Sequence, residues 1–212
     1  MKIYTGQTTG RKLDEIIKRD MGIMISSSPA GTPNRDFAKV YCALDNGAFS
    51  AFKKGYPFQQ HIFIDTLKKA YSCNIPLDFI VCPDIVCGGM KSLDFSIKWA
   101  KSDILFGSPN LALVVQDGMT PEKLDYFCIE RFFNYIFIGG SVEWKWKTAA
   151  TWVEFGRKKG FKIHIGQCGK LKYLLRARDL SVDSVDSTSW CINESWHIID
   201  EFKNHKQLEL EY

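Results

Sequence analysis

The sequence lacks the features that mark membrane, secreted or zinc-binding proteins. None of its apolar runs approaches the ~18 residues that a membrane-spanning helix needs, and its N-terminus shows no signal-peptide pattern. The seven cysteines are an odd and scattered set without a Cys-x-x-Cys pair, so no zinc site is indicated. We therefore expect a cytoplasmic protein in a reducing compartment, with no membrane partner, no metal and no cofactor.

A strong charge of either sign is also absent. The 28 Lys and Arg residues only slightly exceed the 24 Asp and Glu residues, which gives a net charge of +4. This mild basicity permits a polyanionic partner such as nucleic acid but does not demand one. Hydrophobic residues make up 45% of the chain and charged residues 25%, an ordinary composition for a globular protein of one large or two small domains.

Eight short apolar segments are predicted strands, and most are followed by a segment with helical periodicity. The predicted strands are Lys2–Tyr4, Gly22–Ser26, Val40–Leu44, Asp78–Cys82, Leu111–Val115, Tyr135–Ile138, Phe161–Ile165 and Val182–Val185. The predicted helices are Lys12–Arg19, Phe58–Cys73, Ser92–Ser102, Thr120–Phe132, Glu143–Lys159, Lys170–Arg178 and Glu194–Asn204.

Strands that alternate with helices predict a parallel sheet, and eight such units predict a closed (β/α)8 barrel of the TIM type. The strands are apolar without strict alternation, as expected when both faces are covered. We expect one barrel domain over residues 1–205 and a charged tail over 206–212. The alternative is an open doubly wound sheet, but no Gly-x-Gly-x-x-Gly follows an early strand.

Polar groups and glycines stand at the carboxyl ends of the later strands, where a barrel builds its active site. They are Asp45, Asp84, Gln116, Gly139-Gly140, Gly166 and Asp186. Each by itself is also typical of an ordinary turn. Together they predict a site on one rim of the barrel.

The segment Ser181–Trp190 holds two carboxylates, Asp183 and Asp186, around β-prone valines. A surface strand with an Asx-rich turn is the alternative to a catalytic strand end. Residues three apart on a strand point to opposite faces, and the sequence leaves open which of the two faces inward.

The order of these motifs resembles the catalytic barrel of the tRNA-guanine transglycosylases, a superfamily of queuine and archaeosine transglycosylases with DNA-acting relatives. Its Asp-Ser-Gly-Gly-(Phe/Tyr)-Gln motif is similar to Asp45–Ser50, with Asn46, Ala48 and Ser50 as departures. Its Asp-Met-Phe-Asp motif is similar to Asp183–Asp186. The resemblance covers about residues 40–190.

The resemblance implies a pentosyltransferase that exchanges a guanine-type base for a 7-deazaguanine. Asp186 would be the nucleophile on the sugar C1′, and Asp45 would move the proton on the departing and incoming bases. The remaining implied roles concern the base. Asp84 and Gln116 would hydrogen-bond the edge of the base. Gly139 and Gly140 would offer backbone groups to its carbonyl, and Phe49 would stack on it.

Two departures from the family favour DNA over tRNA as the partner. The Cys-x-Cys-x-x-Cys…His zinc subdomain of the tRNA enzymes has no counterpart here, and Ser187–Trp190 stands where they carry Pro-Thr-Arg. A zinc-free barrel of this kind looks more like a phage-type DNA 7-deazaguanine transglycosylase. The alternatives are a hydrolase that releases the base to water and a non-enzymatic barrel that binds a base or nucleotide.

One further segment, Trp144–Lys147, interleaves tryptophans with lysines. Such a composition is suited to stacking on bases and meeting phosphates. The alternative is an amphipathic helix whose tryptophans cover the barrel while its lysines remain in solvent.

Overall fold

The computed structural model describes residues 1–29, 32–108 and 110–210, with the side chains of 206–210 excepted. Eight strands pair in sequence order and close into a parallel barrel. The strands are β1 Lys2–Gly6, β2 Gly22–Ser26, β3 Cys42–Asp45, β4 Leu77–Val81, β5 Leu111–Val115, β6 Tyr135–Ile138, β7 Lys162–Ile165 and β8 Ser184–Ser187. The predicted (β/α)8 barrel is confirmed.

Helices connect the strands and form the outer layer of the barrel. They are α1 Arg11–Lys18, α2 Ala48–Lys53, α3 Gln60–Ser72, α4 Met90–Ala100, α5 Pro121–Tyr126, α6 Val142–Lys159, α7 Leu171–Asp179, α8 Ser189–Ile192 and α9 His197–Leu210. Two short 3-10 helices span Arg35–Lys39 and Ile129–Arg131. Among the described residues, none of these helices is both long enough and apolar enough to cross a membrane.

The structure differs from the sequence-based elements by one or two residues at the ends of five strands, and by more in several helices. The helix expected over Thr120–Phe132 stops at Tyr126, because Cys128 adopts a left-handed conformation with φ +48°. The short helices α2 and α8 were not predicted. The last helix continues to Leu210 instead of ending at Asn204, and residues 211–212 of the predicted tail lie outside the described residues.

Successive side chains of each strand alternate between the barrel interior and the layer beneath the helices. The interior holds a small cluster of mostly aromatic or small residues: Tyr4, Met24, Ala43, Phe79, Val81, Ala112, Val114 and Tyr135. The outward-facing strand residues join the helices in the larger core and are mainly aliphatic, among them Ile23, Ile25, Leu44, Leu113, Ile136, Ile163 and Val185. Alternate residues along each strand therefore contact the barrel interior and the helices.

The amino-terminal end of the barrel is closed by polar groups. The hydroxyl of Tyr4 donates to Asp78 Oδ2 at 2.5 Å, and Lys2 pairs with the other oxygen of the same carboxylate at 2.7 Å. A pocket of about 300 Å³ lies beside these groups and is lined in part by Lys162 and Asp183. In barrels of this fold, this end is associated with stability and the opposite end with chemistry.

Gly47 makes the sharp turn between β3 and α2. Its φ of +78° lies in the left-handed region, and a Cβ at this position would lie 2.0 Å from the carbonyl oxygen of Ser27. Both the backbone conformation and the available space therefore require glycine. Gly47 directly follows Asp45 and Asn46, so this turn fixes the part of the rim on which those side chains stand.

We expect Gly47→Ala to destabilise the protein much more than Gly55→Ala, its matched control. Gly55 has a similar φ of +75°, but a Cβ there would meet nothing within 4 Å. The control should lose about 1 kcal/mol of unfolding free energy from left-handed strain alone. Gly47→Ala should lose at least roughly 3 kcal/mol, because a backbone oxygen must also move. Equal losses in urea unfolding would contradict this account.

Candidate active site

The carboxylates of Asp183 and Asp186 face opposite ways. In β8, Val185 belongs to the outer core, so Asp186 points into the barrel, where its carboxylate meets His164. Asp183 precedes the strand at the amino-terminal end; it pairs with Arg157 at 2.9 Å and accepts a hydrogen bond from the backbone N–H of Ile163. The register that the sequence left open thus places Asp186 in the site and Asp183 outside it.

His164 links Asp186 to the barrel interior. Its Nε2 lies 3.0 Å from Asp186 Oδ1, and its Nδ1 lies 2.8 Å from Ser184 Oγ. The ring is fully buried and is tilted by 37° against the ring of Phe137, with centroids 4.5 Å apart. A histidine inside an apolar strand such as Phe161–Ile165 is typically a packed core or rim residue, and the ring of His164 is buried accordingly. Its contact with Asp186 depends on a register that sequence alone did not provide.

Asp84 and Gln116 come together on the rim as the strand-end pattern predicts. Gln116 Nε2 lies 3.5 Å from Asp84 Oδ2 and donates to the carbonyl of Ile85 at 3.0 Å. Asn46, noted from sequence only as a departure from a motif, donates from Nδ2 to Asp84 Oδ1 at 2.9 Å and to the Cys82 carbonyl at 2.8 Å. Two side-chain amides therefore orient the buried Asp84 carboxylate before any ligand binds.

Three carboxylates share this end of the barrel, and their proximity affects their protonation. Burial, together with the charges of Asp186 and Asp84, raises the pKa of Asp45 to about 7, while the backbone amides of Gly47 and Asn46 oppose the rise. Burial also raises the pKa of Asp84 to about 6, against the hydrogen bond from Asn46. Near neutral pH, Asp45 can therefore both hold and release a proton.

A buried lysine lies close to the same acids. Lys145, in the first turn of α6, is 1% exposed, and its Nζ donates to the carbonyl of Gly166 at 2.6 Å. Burial lowers the pKa of this ammonium, and the proximity of Cys168 and Asp186 opposes the decrease. Lys145 thus places a buried amine, hydrogen-bonded to Gly166, next to the strand end that carries Asp186.

The burial of Lys145 corrects the interpretation of Trp144–Lys147 as a surface for bases and phosphates. Trp146 is also buried, with its ring stacked on Tyr173 at a centroid distance of 5.0 Å, so it is not available to bases. The alternative, an amphipathic helix whose tryptophans cover the barrel, is right about Trp146. It is wrong about Lys145, which it places in solvent. Only Lys147 of the two lysines is exposed.

The glycines of the rim leave bare backbone where side chains would clash. A Cβ on Gly166 would lie 2.7 Å from the Phe137 ring and 3.3 Å from Asp186 Oδ1, and one on Gly139 would lie 3.0 Å from Val114. The turn at Gly140 has φ +74° and packs against Asp117.

Asp117, which sequence analysis did not single out as a site residue, ties this turn to the end of β5. Its carboxylate accepts hydrogen bonds from the backbone N–H and the hydroxyl of Ser141, both at 2.7 Å. The Gln116-Asp117-Gly118 sequence after a strand was the available signal.

Phe49 lies in the first turn of α2 and is 46% exposed. The Nζ of Lys53 stands 5.4 Å from the centroid of its ring. Its proposed stacking on a base stays a prediction.

No family model and no curated protein matches this chain. Among solved structures, it is similar to a protein described as QR15, an aldolase, at 13% identity with a TM-score of 0.59, over 98% of this chain and 96% of the other. A thiamine phosphate pyrophosphorylase from Bacteroides thetaiotaomicron aligns at 11% identity with a TM-score of 0.47, over 96% of this chain and 98% of the other. At 13% identity, the likeness to the aldolase structure shows the barrel fold alone. The transglycosylase resemblance rests on the sequence motifs.

The raised pKa of Asp45 leads to a prediction about stability. Because the folded chain binds this proton more tightly than the unfolded chain, ionisation opposes folding. The penalty is absent below about pH 4, grows as the pH rises, and is complete above about pH 7. We therefore expect Asp45→Asn to be more stable than the wild type at pH 8, by roughly 2–4 kcal/mol, and the difference to vanish near pH 4.

Asp117→Asn is the matched control, with the opposite sign. Although burial raises the pKa of Asp117, the hydrogen bonds from Ser141 outweigh it, and the net shift is downward. The ionised Asp117 therefore stabilises the fold, so its replacement should lower stability at pH 8 and have little effect in acid. Denaturant unfolding of both variants between pH 4 and 8 makes the comparison. Parallel curves for Asp45→Asn and wild type would contradict the assignment.

Proposed function

We propose that this protein is an enzyme that exchanges a guanine-type base for a 7-deazaguanine in nucleic acid, through a covalent bond between Asp186 and the sugar. The observation that carries the proposal is the convergence of the motif residues. Asp186 faces the barrel interior, and its charge and that of Asp84 both raise the pKa of Asp45 at the same end. The strand ends that match the transglycosylase motifs therefore form one acidic site.

The chemistry that these groups support has two balanced halves. An oxygen of Asp186 forms a bond to C1′ as the bond from C1′ to the base nitrogen breaks, and the bonding electrons leave with the base. Asp45, with its pKa of about 7, supplies the proton that neutralises the departing base. The incoming base then gives a proton to Asp45 and attacks C1′, which releases Asp186.

Recognition of the base falls to the opposite side of the rim. A guanine edge presents adjacent N–H donors, and the buried Asp84 carboxylate supplies two acceptor oxygens. The contacts of Asn46 and Gln116 fix the plane of that carboxylate. In this proposal, the backbone of Gly139 and Gly140 serves the carbonyl side of the base, and Phe49 stacks on its face. Gln116, whose N–H groups contact Asp84 and the Ile85 carbonyl, offers its Oε1 to an N–H of the base.

An exposed aromatic surface beside the site supports a nucleic-acid partner. Phe49, Phe52 and Tyr56 are 46%, 50% and 58% exposed along and just after α2, which begins at the rim. Lys53 and Lys54 lie between them in the chain. Aromatic rings interleaved with cations suit stacking on bases and contact with phosphates. DNA remains the proposed polymer over tRNA, on the two departures from the family described above.

Base exchange tests the proposal directly. The protein is incubated with duplex DNA, single-stranded DNA or tRNA together with labelled guanine or 7-deazaguanine bases, and label in the polymer is measured. We expect label to enter DNA, and Asp186→Asn to reduce its entry at least about 10³-fold, since the nucleophile is lost. Asp183→Asn, three residues away on the other face, is the matched control and should keep most of the activity.

Each contrary result has a definite meaning. Full exchange by Asp186→Asn would reject the covalent mechanism. Free base released without label uptake would indicate a hydrolase built on the same site. Tight base binding that survives Asp186→Ala, with no turnover by wild type, would indicate a binding barrel.

A further inference from the structure

Three inward-facing polar groups form a continuous chain inside the barrel. Ser184 and Asp186 are two residues apart on β8 and share its inner face, and His164 on β7 pairs in register with Ser184. The imidazole spans from the Ser184 hydroxyl, deeper in the barrel, to the Asp186 carboxylate at its mouth.

The surroundings of His164 make this chain costly to break. The ring is 0% exposed and lies among the aromatic side chains of Tyr4, Phe79 and Phe137. A buried polar atom without a partner costs about 1–3 kcal/mol, and both ring nitrogens here are satisfied by the two contacts.

The chemistry of the partners determines the direction of the hydrogen bonds. An ionised carboxylate can only accept, so the Nε2 of His164 must carry the proton that faces Asp186. In a neutral imidazole the Nδ1 is then an acceptor, and the Ser184 hydroxyl must donate to it. The Asp186 carboxylate thus fixes the tautomer, and the Ser184 hydroxyl satisfies the Nδ1 that this tautomer leaves as an acceptor.

We propose that His164 is a positioning residue for Asp186, whose Nε2–H holds Oδ1 so that Oδ2 is directed at the sugar. This inference rests on the proposed function and goes beyond it by assigning separate tasks to the two oxygens. In the part of the chain that the structure describes, Oδ2 accepts no hydrogen bond from a side chain.

The hydrogen bond persists through both halves of the reaction. When Oδ2 forms the ester bond to C1′, Oδ1 becomes the ester carbonyl oxygen and still accepts from Nε2–H. When the incoming base attacks C1′, the electrons of the C–O bond return to the carboxylate, whose regained charge the same N–H stabilises. No proton moves between His164 and Asp186.

Two amide substitutions of His164 separate a positioning role from a packing role. The amide nitrogen of glutamine can take the place of Nε2, so His164→Gln keeps a donor for Asp186. The shorter asparagine reaches the place of Nδ1, so His164→Asn keeps a partner for Ser184 but withdraws the donor from Asp186. Both variants remove the ring, so they share the loss of packing.

We expect kcat for base exchange to fall about 100-fold in His164→Asn and about tenfold or less in His164→Gln. KM for the polymer and the Kd for free 7-deazaguanine base should stay within about twofold in both, because Asp84 and Gln116 bind the base. Thermal unfolding of both variants reports whether they fold. Ser184→Ala, which leaves Nδ1 without its partner but keeps Nε2–H opposite Asp186, should show an intermediate loss.

Two outcomes would overturn the inference. One is a folded His164→Asn protein with wild-type kcat. The other is equal kcat losses in the two variants that follow their losses of stability, which would give His164 only a packing role.

Failure of the proposed function would look different. Wild-type protein would then exchange no base at all, and the positioning inference would fall with it. Nitrogen-15 NMR of the His164 ring adds a readout without activity: a proton on Nδ1 instead of Nε2 in the wild type would overturn the positioning even if base exchange proceeds.

Discussion

The site depends on the closure of eight parallel strands into a ring. Because all strands run in the same direction, all their carboxyl ends meet on one rim, although they are far apart in the chain. Asp45 and Asp186 are separated by well over half the sequence and still interact electrostatically. An open sheet with the same strand ends would leave the first and last strands at opposite edges.

The second constraint is the burial of acidic groups at that rim. Desolvation raises the pKa of Asp45 and of Asp84, and hydrogen-bond donors oppose the rise: the backbone N–H groups of Gly47 and Asn46 at Asp45, and the side-chain amide of Asn46 at Asp84. Lys145 adds a buried amine whose pKa is lowered by the same desolvation. Such an arrangement opposes stability and is typical of a site selected for chemistry.

Much of this was accessible from sequence because the signals were local. Continuous apolar runs located the strands, with three of the eight bounds matching the structure, and turn residues located their ends. Asp84 and Gln116 could be grouped because each directly follows a strand. Asn46, Lys145 and Asp117 were missed as site residues because their importance lies in contacts with other strand ends and turns.

The sequence by itself determined the alternation of strands and helices, the number of units and the set of polar groups at strand ends. These follow from periodicity and turn chemistry, which act over a few residues. Only the tertiary structure decided that Asp186 and not Asp183 faces inward, that His164 contacts that acid, and that Lys145 is buried. Each depends on strand register or helix packing, where a shift of one residue exchanges the two faces of a strand, so no local pattern could settle it.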